Sequence, residues 1–469
     1  MRYSLFERAG AHDAMRGGLR AIGRWGARME IPGGTDREAK PARRRGWPVI
    51  PGLRWWIVAL VFFGTIANYV TRNSLAVMAP QLKSSLHFDT RHYSYVVAAF
   101  QVVYTVMQPV CGLIADKLGL RLSFTLFAVV WSICGGLHAF AGGWRSLAVF
   151  RGLLGVAQAS AIPAGVKAVS EWFPRRERSV GIGYFNAGTS LGAAVTLPIV
   201  TWLMLRYNWR VAFAVTGAAS LFWAAAWWLL YRAPADHPAL GAAERDHILA
   251  GRPAATAAKR APARELFKRR GFWAIAIARF LAEPAWQTFS FWVPLYLASE
   301  RHMDLKGIAM FAWLPYVAAY FGSAFGGYLS PVLMRWCRLS LVASRVAGVC
   351  IGAAIMIAPA CVGLAGTAAI AIALLCFGGF AHQTISVLLN TLTIDIFAEA
   401  EVATANGLTG MASWTGGLTF SLLIGALAER VGYGPLFGCL GAFDLLGACI
   451  LIALIRPRWR AAGAPEAAA

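Results

Sequence analysis

The sequence predicts an all-α membrane protein with twelve membrane-spanning helices in two pseudo-symmetric bundles of six. Three observations carry this reading. Of 469 residues, 58% are hydrophobic and 14% charged, with 19 Trp, a balance far from that of soluble domains. Apolar stretches of roughly 20 to 28 residues recur along the chain, each long enough for a hydrocarbon core of about 30 Å. The basic residues fall between these stretches and alternate in density from one connection to the next, as membrane topology requires.

Taken in order, the predicted spans are residues 53–80, 92–115, 121–141, 144–172, 180–205, 209–231, 272–298, 307–334, 339–362, 367–396, 402–428 and 433–455. The long Ala-, Pro-, Arg- and Lys-rich interruption at 232–271 is read as an interdomain linker between a first bundle at 53–231 and a second at 272–456. Residues 1–52 are Arg-, Gly- and Pro-rich without a continuous apolar core, so they read as neither a secretory signal nor a span. They are expected to form a disordered basic extension, with Met29 as an alternative start, and 457–469 a short tail. Lys117, Arg121, Arg175, Arg176, Arg178, the linker and the residues after 455 all fall on one side of a twelve-span arrangement. Both termini are therefore expected in the cytoplasm.

The net charge of +22 would suggest nucleic acid in a soluble chain. Here the basic runs lack interleaved aromatics and serve topology, which excludes that partner. The eight cysteines are scattered singly, with no metal-binding spacing, and read as small buried hydrophobes. No nucleophile, base and orienting group occur at recognisable spacing, so an enzyme is not expected. No metal or cofactor is expected either.

Arg72 is the anomaly, because a charge well inside a span costs about 2.5–3.5 kcal/mol on insertion scales. The expected explanation is a water-filled anion site with Arg72 on its wall and Tyr69 and Asn73 nearby. The competing one is an arginine snorkelling to the interface. In the fourth span Arg151, Gly155 and Gln158 share one helical face. Arg151 lies at a depth similar to that of Arg72, so the two are expected to converge on one carboxylate, an arginine fork suiting that group. Gly155 would let a helix or ligand approach closely.

Tyr104 and Gln108, four residues apart, are expected either to face the same cavity or simply to pack. Asn186, Thr189 and Ser190 lie amid glycines that favour close helix crossing, with Asn186 or Thr189 as cavity lining. Arg279 and Glu283 stand at i and i+4 and are expected to neutralise each other, either structurally or as a pair that protonation or an incoming anion switches. His382, Ser386 and Asn390 form a polar row at four-residue steps. His382 is expected to bind a hydroxylated ligand or a proton, against the alternative of a satisfied interhelical donor. Asn406, Ser413 and Trp414 add hydroxyl recognition or a stacking wall. Asp116, Lys117 and Arg121, in a short turn with Gly119, are expected to pair with one another and with helix ends as a conformational latch, or else to set orientation alone.

These features together describe a carrier of small organic anions, working as a monomer in a lipid bilayer. A non-transporting membrane sensor is the rival from another class, its basic extension docking a cytoplasmic partner.

The residues also resemble a known family. Residues 68–80, 93–109, the Asp116 to Arg121 turn, 170–174 with Glu177, Arg178 and Ser179, then 279–286, 378–383 and 402–410 are similar to the major facilitator superfamily. Within it they resemble the anion:cation symporter family and its bacterial hexuronate transporters, over about residues 52–456. That resemblance implies proton-driven uptake of sugar acids such as glucuronate and galacturonate across the bacterial inner membrane by alternating access. Other organic acids, among them aldonates, aldarates, tartrate and phthalate, are alternative substrates. The family's substrate-binding tyrosine and arginines map onto Tyr104, Arg72 and Arg151. Two departures bear on coupling. Thr71 stands where many members carry an acid, and Gln158, which cannot titrate, stands at the family's proton-coupling glutamate. Glu283 or His382 is the expected surrogate, failing which the protein is a facilitator.

Overall fold

The computed structural model describes residues 48–249, 262–303, 307 and 310–459. The expected extension up to residue 47, with Met29, the linker residues 250–261 and the tail from 460 lie outside the described residues. Eleven helices among the described residues are long and apolar enough to cross a membrane. The remaining predicted span, the seventh, is Arg270–Phe291 followed by Val293–Ser299. Arg279, Glu283 and Gln287 make it the more polar one.

The first six spans are Leu53–Ser85, Thr90–Leu118, Leu120–Leu137, Trp144–Gln158 with Ala161–Trp172, Arg178–Arg206 and Trp209–Leu230. After the linker come the seventh span, Leu314–Trp336, Leu341–Ile355, Ala368–Ile396, Val402–Val431 and Tyr433–Ile455. Trp56, Phe63, Leu205 and Phe222 are exposed apolar side chains of the kind that face lipid.

Local chemistry explains where these helices start and break. Asp89 and Asn208 cap the second and sixth spans by accepting the backbone N–H of His92 and Val211. The first span begins after Gly52, which offers no side-chain cap. Instead Glu244, on the short linker helix Ala242–Leu249, accepts the N–H groups of Leu53 and Arg54 at 3.0 and 3.2 Å. A carboxylate there also complements the helix dipole. Part of the predicted linker is thus folded onto the start of the bundle. The fourth span breaks just after Gln158, because Pro163 has no N–H to bond the carbonyl of Ala159. The first span runs past Pro80, where the expected boundary was placed, to Ser85. Gly119 and Gly432 join the second to the third span and the eleventh to the twelfth, both at φ 77°, a conformation that glycine adopts without penalty.

Glycines also set how closely the halves meet. A Cβ on Gly183 would stand 2.8 Å from the carbonyl oxygen of Ser323, and one on Gly112 would stand 2.1 Å from that of Ala403. The fifth span therefore packs on the eighth, and the second on the eleventh, backbone to backbone.

Candidate functional site

A cavity lies between the two halves, with walls from the first, second, fourth, fifth, seventh, tenth and eleventh spans. Its aromatic side is Tyr69, Tyr104, Trp286 and Trp414, and its polar side is Asn186, Thr189, Gln383, Ser386 and Asn390. Arg279, Glu283 and His382 bring ionisable groups to the same space.

Arg72 is buried behind the aromatic side. Its guanidinium carbon lies 4.7 Å from the ring centre of Tyr69, 4.5 Å from Tyr104, 5.3 Å from Phe100 and 5.8 Å from Trp414. Four rings around one cation offset much of its desolvation. The Nε of Arg72 donates to Gln158 Oε1 at 3.2 Å, and Nη2 donates to Asn68 Oδ1 at 3.2 Å. Snorkelling is not the solution this helix uses.

Arg151 is also buried, yet it does not fork with Arg72 into the cavity. Its Nη1 donates to the backbone carbonyl of Arg72 at 3.0 Å, and its guanidinium lies 4.7 Å from the Phe100 ring. Gly155 admits the second span, since a Cβ there would stand 2.9 Å from the carbonyl oxygen of Phe100.

Gln158 has a matched pair of partners. Its Oε1 accepts from Arg72, and its Nε2 donates to the carbonyl oxygen of Asn68 at 3.1 Å. An ionised carboxylate in its place would keep the first contact and lose the second, so the amide fits this position better.

The expected Arg279–Glu283 pairing is absent. Arg279 Nη1 donates to Thr409 Oγ1 at 3.2 Å, and Glu283 accepts from Ser413 Oγ at 2.7 Å. Both helices repeat at four residues and run parallel, so each side chain finds a hydroxyl across the interface at its own level. Glu283 thereby stands on the cavity wall held by a hydroxyl and not by Arg279.

The tenth span supplies the polar seam. Asn186 Nδ2 donates to Gln383 Oε1 at 3.3 Å and Ser386 Oγ at 3.0 Å, while Gln383 Nε2 donates to Thr189 Oγ1 at 3.2 Å. This links the halves through groups able to exchange partners with sugar hydroxyls. Asn406 stands behind the wall, donating to Asn390 Oδ1 at 2.8 Å. The imidazole of His382 stacks on Trp286 with centroids 5.4 Å apart, and its buried Nδ1 has no hydrogen-bond partner among the described residues. Gln108 and Asn73 are not brought to the cavity. Gln108 is buried against Gly407 and Gly410 of the eleventh span, and Asn73 is half-buried on the first.

The turn residues do not pair with one another as expected. Asp116 forms an ion pair with Lys167 at 2.7 Å. It also accepts from Ala403 N at 3.4 Å and from Thr404 N and Oγ1, both at 2.7 Å, at the start of the eleventh span. Arg121 turns to its own half, donating twice to the carbonyl oxygen of Trp228, and Lys117 is exposed. A second lock was not anticipated. Asp395, at the end of the tenth span, pairs with Arg178 at 3.2 Å and with Arg345 at 3.3 Å, joining the halves at the same end of the bundle. The cluster at 175–178 signalled only orientation in the sequence, because its partner lies 217 residues away. Asp444, buried in the last span with Oδ2 unpartnered among the described residues, was also missed; it does not line the cavity.

A helical membrane bundle in two halves, locked together at one end around a polar and cationic cavity, defines a membrane carrier by its architecture. Residues 61–417 match the Major Facilitator Superfamily. The chain belongs to that superfamily, whose named relatives are transporters. It is 48% identical over 405 residues to the hexuronate transporter of Escherichia coli (strain K12), covering 86% of this chain and 94% of that one. It is 45% identical over 328 residues to the galacturonate transporter of Dickeya chrysanthemi, covering 69% and 95%. Among solved structures, the proton:xylose symporter XylE bound to 6-bromo-6-deoxy-D-glucose superposes with a TM-score of 0.68 at 14% identity, over 86% of this chain and 96% of that one. This structural likeness supports the fold alone.

Proposed function

We propose that this protein carries hexuronates such as glucuronate and galacturonate across the bacterial inner membrane, inward and with protons, by alternating access. On this reading both termini lie in the cytoplasm, which the basic residues between spans support, and the locked end is then the cytoplasmic one. The observation that carries this reading is the cavity itself. It joins a cationic and aromatic side to a seam of amides and hydroxyls drawn from both halves. A sugar acid has that polarity, with one carboxylate and several hydroxyls.

Arg279 on the wall and Arg72 behind Tyr69 and Tyr104 supply fixed positive charge for the carboxylate. Asn186, Thr189, Gln383, Ser386 and Asn390 trade their mutual hydrogen bonds for those of the sugar hydroxyls. Glu283 is assigned the proton, because Gln158 cannot titrate and is committed on both sides to Arg72 and Asn68. The relatives named for hexuronate and galacturonate support the substrate class.

Tracer glucuronate uptake into proteoliposomes tests this. Uptake against a gradient is expected when the outside is acidified, with competition by galacturonate and weaker competition by aldonates, aldarates and tartrate. No saturable uptake under any gradient would leave a sensor, and stronger competition by another acid would reassign the substrate.

A further inference from the structure

A groove at the end of the second half carries four arginines and, among the described residues, no carboxylate in its lining. Arg270 comes from the start of the seventh span, and Arg456 and Arg458 follow the twelfth. Arg175 reaches across from the first half. Val342 and Leu454 form part of its apolar floor. The segment after the twelfth helix is fixed there. Arg456 turns the chain at φ 49°, and Ser340 donates its N–H to the carbonyl oxygen of Trp459 at 3.0 Å and its hydroxyl to that of Arg458.

The first half contains a built-in comparison. Its corresponding groove, at the ends of the third and sixth spans, holds Arg121 and Arg232 together with Glu171 and Asp236. There the charges balance within the protein, and Arg121 is further engaged by the carbonyl of Trp228. In the second half the positive charge has no such balance in its lining, while the apolar floor lies at the membrane-end level of the helices.

We infer that this groove holds the headgroup of an anionic phospholipid of the cytoplasmic leaflet, its phosphate on Arg270, Arg456 and Arg458 and an acyl chain along Val342 and Leu454. The placement rests on the cytoplasmic assignment of the termini and is independent of the transported substrate. Each arginine at such a surface favours binding of an anionic headgroup about fivefold. Because Arg175 belongs to the other half, a bound lipid also bridges the halves where Asp395 locks them.

The test is mass analysis of lipid retained by the purified full-length protein after incubation in micelles containing equal phosphatidylglycerol and phosphatidylcholine. Preferential retention of phosphatidylglycerol is expected. The double variant Arg456→Ala/Arg458→Ala should lower that retention about tenfold or more, and Arg121→Ala/Arg232→Ala in the balanced groove should leave it unchanged. Equal retention of both lipids, or an equal loss in both double variants, would overturn the inference. So would displacement of phosphatidylglycerol by millimolar inorganic phosphate, which would mark a free-anion site. A thermal midpoint in lipid-free micelles matching the parent verifies folding. If the first double variant fails that check, Arg456→Gln and Arg270→Gln tested singly take its place, with a loss of about fivefold required of each.

Discussion

Arg151 donates Nη1 to the backbone carbonyl of Arg72, 3.0 Å away, so one membrane-buried arginine holds the helix that presents the other. The two were expected to act as equals on one carboxylate. Their geometry makes them unequal, since Arg72 sits within four rings and Arg151 is spent on a main-chain acceptor.

The first prediction separates them. Arg72→Lys keeps the charge and loses the planar contacts to Gln158, Asn68 and the rings, and should weaken glucuronate binding by about tenfold or more. Arg151→Ala removes a buried charged donor from the Arg72 carbonyl, which keeps its own helical partner, and should cost about 1.5–3 kcal/mol of stability, seen as a lower thermal midpoint, whereas Arg151→Lys can still donate and should lose less. Equal losses of binding in Arg72→Ala and Arg151→Ala, with unchanged midpoints, would contradict this division.

Gln158→Glu is expected to convert a permanent partner of Arg72 into a switchable one. Above the introduced group's pKa, the carboxylate competes with substrate for Arg72 and faces the Asn68 carbonyl without a proton to donate. Below it, the protonated acid resembles the parent glutamine. Binding of glucuronate by the variant should therefore weaken as pH rises while the parent changes less, measured by tryptophan fluorescence with Trp414 and Trp286 as neighbouring reporters. A variant with the parent's pH profile would show that Gln158 does not govern Arg72.

Glu283→Gln should retain the hydrogen bond with Ser413 and lose the titrating group. Uptake driven by a pH gradient should fall to the equilibrium level, while exchange of labelled for unlabelled glucuronate persists. If accumulation survives both this change and His382→Asn, neither residue carries the proton.

The spans were legible because membrane insertion is written in local runs of apolar residues. The cationic and polar character of the site was legible too, since Arg72, Thr189, Glu283 and His382 stand out in such runs. Pairing was not. Spacing of four suggested that Arg279 and Glu283 bond each other, but the eleventh span offers Thr409 and Ser413 at the same spacing, a fact that only helix docking reveals. The same holds for Asp116, whose partner Lys167 comes from another helix, and for Asp395, whose partners Arg345 and Arg178 lie 50 and 217 residues away along the chain. For Gln108 the sequence left open a cavity face or packing, a choice that helix docking makes. It packs, its side chain lying against Gly407 and Gly410 of the eleventh span.

The final prediction concerns the locked end. Gly112→Ala would place a Cβ 2.1 Å from the carbonyl oxygen of Ala403, a main-chain atom that cannot swing aside. The second and eleventh spans must separate there, and with them the contact of Asp116 with Ala403 and Thr404. Asp395→Asn attacks the same closure by removing the charge shared by Arg178 and Arg345, and breaking a buried pair costs about 3–5 kcal/mol. Both variants should shift the carrier toward the state open at the terminus side. A cysteine placed at Ser386 on the cavity wall should then react faster with a membrane-impermeant maleimide added from that side. The reference rate comes from the same cysteine in the parent, after subtracting the exposed Cys337, Cys361 and Cys449. Unchanged labelling in both variants, with the fold intact, would mean that these contacts do not hold the cavity shut.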